Sequence, residues 1–360
     1  MKAILALLLV SVTAAQSADP LPGMPPSLDA SDVYAADRPG NLSPAVRGFP
    51  DRVYVPNSGL NTVDVIDPHT FTIVGHFDVG KQPQHVTPSY DLKTLWVLNN
   101  LGDSLTRIDP ATGRSLDTVK VNDPYNMYYT PDGRYAIVVA ERLHRLDFRD
   151  AQTMTLVDSV PVPCRGVDHL DFSADGRYLI ASCEFSGELV KIDVATHKVL
   201  ATLRLAEHAM PQDVRLAPDG RVFYVADMAG HGVFEIDGQA LKIVGFIATG
   251  KGAHGLYFSR DSRWLYVSNR EEGTVALIDT RTRTLATKWT IPGGGSPDMG
   301  GVSADGKVLW LSGRYHAEVY AFDTTDGHLL ARIRVGKGPH GLCVYPQPGR
   351  YSLGHTGNMR

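Results

Sequence analysis

The stretch Gly250-Lys-Gly-Ala-His-Gly-Leu256 returns as Gly336-Lys-Gly-Pro-His-Gly-Leu342. Looser copies recur along the chain, and a fixed repeat period decides the architecture before any single residue does. Aligned on the apolar run after each copy, the anchors fall at His85, Asn126, His169, Asp213, Gly255, Met299 and Gly341. The steps between them are 41, 43, 44, 42, 44 and 42 residues.

Each unit carries further signals. An apolar run ends in Asn or a polar substitute, as in Tyr54-Val-Pro-Asn57, Trp96-Val-Leu-Asn99, Tyr224-Val-Ala-Asp227 and Tyr266-Val-Ser-Asn269, with Glu141, Cys183 and Gly313 at the same place elsewhere. Asp-x-x-Thr turns follow at Asp67 to Thr70, Asp109 to Thr112, Asp193 to Thr196 and Asp279 to Thr282. Asp-Gly pairs at 132–133, 175–176, 219–220 and 305–306 separate alternating runs of Tyr, Val, Leu and Phe, a hairpin signal. Four short strands per unit, with no helix-length periodic segment, predict an all-β, seven-bladed β-propeller of four-stranded antiparallel, WD40-like blades. Three strands at about 52–79 precede the first anchor, and a lone strand at 341–345 follows the last. Pairing these completes a blade and leaves no open sheet edge.

The Tyr-Val-x-Asn strand ends, Gly-Lys-x-Pro-His loops and Ile-Asp-x-x-Thr turns resemble the YVTN-repeat β-propellers, secreted or periplasmic bacterial proteins that include the YncE-like group. The resemblance covers about residues 48–345. It implies the fold and leaves function open, since similar propellers include surface-layer proteins, lactonases, streptogramin lyases and the haem d1 domain of nitrite reductase.

Composition bounds the setting. Residues 1–17 hold Lys2, an apolar run from Ala3 to Val12, and small Thr13, Ala15 and Ser17. They predict a cleaved signal peptide and a secreted or periplasmic protein without a transmembrane segment. No Cys follows the apolar run, which argues against a lipid anchor. Residues 18–47 read as an extended lead-in, 48–345 as the propeller and 346–360 as a Gly/Pro-rich tail along the exterior or the face opposite the loops, in a monomer. The 35 Lys and Arg against 39 Asp and Glu give a net charge of −4, and no basic run stands out, which argues against nucleic acid as the main ligand. Cys164 and Cys183 fall in one blade, where pairing is open, and Cys343 in an inner strand reads as a core residue.

In a propeller blade the loop before the inner strand and the end of the second strand share one rim. That rim gathers His85, His169, His254 and His340 with Glu141, Cys183, Asp227, Lys81 and Arg270. A structural role competes for each single imidazole, which can bond backbone where seven blades crowd together. Three functional readings use the cluster. A divalent transition metal would take His85, His169, His254 and His340, with sulfur from Met299 or Cys183 biasing it toward copper. A lactonase- or lyase-like enzyme would use Glu141 or Asp227 as base and His254 or His340 as acid. The resemblance to haem d1 propellers implies a third, a macrocycle held by His85, His169, Lys81 and Arg270. Covalent haem is excluded by the lack of Cys-x-x-Cys-His, and the lack of their motifs argues against nucleophile-based or phosphate-transfer enzymes. The sequence therefore favours a module that binds a small molecule, a metal or a protein at the mouth over an enzyme.

Overall fold

The computed structural model describes residues 19–360; the expected signal peptide lies outside them. The chain forms seven four-stranded antiparallel sheets arranged as the blades of a propeller. The inner strands of blades 1 to 7 are Pro83–Pro88, Asn126–Tyr129, Val167–Phe172, Pro211–Leu216, Ala253–Phe258, Pro297–Val302 and Cys343–Tyr345. The last pairs with Arg52–Asn57 in the register Arg52 to Tyr345, Val53 to Val344 and Tyr54 to Cys343, so blade 7 is built from both parts of the chain as expected.

Alternating apolar residues make each sheet two-faced, and neighbouring blades bury those faces against each other. Between blades 2 and 3, for instance, Ile137 and Val139 join Leu170, Phe172, Leu179 and Ala181 in one core cluster. The recurrent Asn at the second strand's end closes its hairpin from within. Asn57 Nδ2 donates to Asp64 Oδ2 at 2.8 Å, Asn99 Nδ2 to Thr106 Oγ1 at 2.9 Å, and Asn269 Nδ2 to Thr274 Oγ1 at 3.0 Å. Those asparagines are structural.

The face opposite the loop rim is covered by the two flanking segments. Residues 19–47, with short 3-10 turns at Ala35–Asp37 and Pro44–Val46, run beneath the Asp-Gly turns. Leu21 N donates to Asp175 O at 2.8 Å, and Val33 N to Pro218 O at 2.9 Å. Residues 346–360 enter the lower end of the central channel instead of lying outside the ring. His355 N donates to Met127 O at 2.8 Å, Tyr129 N to Leu353 O at 2.9 Å, and Arg360 pairs with buried Asp171 at 3.1 Å. Tyr351, Leu353 and Met359 are buried. Gly354, at φ +95°, brings the tail so close to the inner strand of blade 2 that a Cβ would stand 2.4 Å from Met127 O.

Candidate functional site: a polar mouth above an axial histidine cluster

A repeated backbone irregularity positions the site. In blades 1, 3, 4, 5 and 6 the ladder between inner and second strand shifts register between Pro83 and Val86, Val167 and Leu170, Pro211 and Val214, Ala253 and Leu256, and Pro297 and Gly300. Each bulge frees two residues from the ladder and re-aims their side chains. The freed pairs are Gln84-His85, Asp168-His169, Gln212-Asp213, His254-Gly255 and Asp298-Met299. Gln84, Gln212 and His254 line the mouth, while His85 and His169 meet on the axis below it.

The mouth is a cavity of about 490 Å³. One wall, from the second-strand ends of blades 2 and 3, presents Glu141 and Glu184; the opposite wall, from blades 5 and 6, presents Arg270 and Arg314. Tyr125, His254 and His340 also line it. Burial, reinforced by Asp168 and Glu184, pushes the Glu141 carboxyl up to about 8, so near neutrality it is largely a proton donor. Asp298 organises the basic wall. Arg270 Nε donates to its Oδ1 at 3.0 Å, His340 Nδ1 lies 2.7 Å from its Oδ2, and His254 Nδ1 lies 3.0 Å from its Oδ1. Burial alone would raise this carboxyl, but Arg270, His254 and Arg314 outweigh it and hold Asp298 low and ionised. His254 and His340 are held well below the usual histidine range, first by burial and then by the nearby guanidinium charges. Asp298 therefore fixes the Nδ1–H tautomer of His340, whose Nε2 lies 3.5 Å from Tyr125 Oη.

On the axis, His85, His169 and His355 are fully buried, with ring centroids 5.1 to 5.5 Å apart. Burial, with mutual repulsion, drives His85 down to about 3 and His355 well below its ordinary value, while burial also lowers His169. All three rings are neutral at physiological pH.

The structure brings together the four histidines that share a rim in sequence: His85 has His340 at 4.8 Å and His169 at 5.5 Å between ring centroids, and His254 and His340 flank Asp298. Of the other residues singled out by sequence, Arg270 and Glu141 line the mouth, whereas Lys81 is exposed outside the lining. Asp227 is buried, and its Oδ1 accepts from Met210 N at 2.6 Å, a capping role. Cys183 is bonded to Cys164, and Cys343 is a buried free thiol. Sequence reasoning did not single out Glu184 or His355. Glu184 directly follows a strand end, where Arg270 and Arg314 stand in their blades, and Gly354-His-Thr-Gly357 echoes the His-Gly loops.

The sequence profile of the family described as YNCE-like beta-propeller matches residues 41–349. The protein YncE of Salmonella typhimurium is 22% identical over 270 residues, 69% of this chain and 73% of that one. The dihydro-heme d1 dehydrogenase of Pseudomonas aeruginosa is 24% identical over 242 residues, 63% of this chain and 48% of that protein, so the match spans about half the relative's length. A solved structure of dihydro-heme d1 dehydrogenase NirN in complex with DHE superposes with a TM-score of 0.62 at 18% identity, covering 88% of this chain and 81% of that one. Among the described residues, no helix is long and apolar enough to cross a membrane.

Proposed function

The chain belongs to the YNCE-like beta-propeller family, and from that premise we propose that it is a binding module whose mouth holds a carboxylate-bearing organic ligand. One observation carries this reading. Arg314 faces the cavity and, among the described residues, forms no ion pair; its nearest polar side-chain contact is Gln84 Oε1 at 3.4 Å. A partly buried guanidinium with no carboxylate in direct ion-pair contact is a ready anchor for one. Tyr125 and His340 supply an aromatic floor, and the protonated Glu141 on the far wall donates to an acceptor elsewhere on the ligand. A carboxylated tetrapyrrole belongs to this class, and likeness to a dihydro-heme d1 dehydrogenase supports including it. The Cys164–Cys183 disulfide supports a secreted or periplasmic setting.

A second reading, proton-transfer catalysis, takes its support from the raised Glu141 opposite the Asp298-held His340. Titrating the protein with iron(III) coproporphyrin and with citrate, against a neutral sugar, tests the first. Saturable binding of a carboxylate probe is expected, weakened about 10- to 100-fold by Arg314→Gln and unchanged by Lys307→Gln on the opposite face. Equal binding by both variants, or no binding of either carboxylate, overturns it. Lactone hydrolysis lost in Glu141→Gln would put catalysis first.

A further inference from the structure

The geometry points to a second site on the channel axis beneath the mouth: a divalent transition-metal ion held by His85, His169 and His355. It goes beyond the mouth ligand, and its failure would leave that reading intact. One ring nitrogen from each histidine lies within 4.8 Å of the others. His85 Nε2, both nitrogens of His169 and His355 Nε2 are buried without a hydrogen-bond partner. Orphaned buried polar atoms are rare because each costs about 1–3 kcal/mol, and here all three rings of one cluster carry them.

A metal-bound imidazole needs an outer partner that fixes its tautomer, and His85 has one. His85 Nδ1 donates to Tyr125 O at 2.9 Å, which leaves a lone pair on Nε2. His169 Nδ1 lies 3.3 Å from Asp168 Oδ2, and neither atom is hydrogen-bonded. His355 Nδ1 lies 3.0 Å from the Asn126 amide nitrogen, and Asp213 Oδ1 is 3.8 Å from His355 Nε2. Ligation through His355 Nε2 puts its proton on Nδ1, which Asn126 accepts if its amide turns over and gives up the bond its Oδ1 accepts from Met127 N at 2.9 Å. Asp168 and Asp213 are buried acids beside the cluster. Three neutral nitrogens without thiolate suit Zn²⁺, Cu²⁺ or Ni²⁺. Two ligands come from blades 1 and 3 and the third from the tail, so the ion would pin residues 346–360 inside the channel.

The test is titration of chelator-stripped protein with Co²⁺ and Zn²⁺. All proteins carry Asp326→Asn to remove the exposed Asp323, Asp326 and His328 group. One equivalent of Co²⁺ with an intense visible band, displaced by Zn²⁺, is expected. His169→Gln and His355→Gln should each weaken binding about 100-fold or more, while His254→Gln at the mouth should not. If either variant is unfolded by circular dichroism, electron paramagnetic resonance of Cu²⁺ in the parent protein decides instead. Three imidazole nitrogens support the site; one or two overturn it. It is also overturned if the stripped protein binds neither ion, water then satisfying the nitrogens, or if binding survives both axial substitutions or is abolished only by His254→Gln.

Discussion

Two ionisable groups a few residues from the axis have been driven in opposite directions. Asp298 is kept charged by the guanidinium beside it, while Glu141, buried and facing other acids, is pushed up to about 8. The Glu141 shift has a sign that can be checked. Its folded value lies above its unfolded value, so the folded state binds the extra proton between roughly pH 4.5 and 8 and loses stability as pH rises through that window. Glu141→Gln is therefore expected to match the parent in urea unfolding at pH 5 and to exceed it by about 2 kcal/mol at pH 9, after allowance for partial exposure. A constant difference across that range would show that the acidic wall is not strained. Glu141 was legible in sequence as a departure from Asn at a repeated position, but its proton affinity was not, because it depends on Asp168 and Glu184 from the neighbouring blade.

The blades repeat, and the tail does not, which is why they differ in legibility. Strand, turn and closure follow from local alternation and period, so the seven sheets and the pairing of 343–345 with 52–54 were readable from one chain. The bulges were not readable as such, yet they sit on the very pairs that the repeat alignment isolates. The path of 346–360 depends on the shape of a channel that exists only after the ring closes, and so His355 could not be placed. The tail's hold is measurable: Leu353 is buried against the cluster of blades 2 and 3, and Leu353→Ala is expected to cost about 2–5 kcal/mol in urea unfolding. A cost under 0.5 kcal/mol would mean that the tail rests loosely in the channel.

For the molecule as a whole, closure is the decisive contact. Removing residues 341–360 takes away the inner strand of blade 7 and the channel plug together, leaving Arg52–Asn57 as an open edge. Loss of soluble monomer by size-exclusion chromatography is the expected outcome; a monomeric truncation with unchanged melting would contradict it. The pairing of Arg52 with Tyr345 also sets a schedule for biogenesis. At about 5–20 residues per second of synthesis, the strand that opens the ring waits on the order of 15–60 s for its partner. During that interval Val53, Tyr54 and Val55, all fully buried in the finished protein, have no cover. A nascent chain in that condition is a client for a holding chaperone, and the segment such a chaperone should grip is Arg52–Asn57.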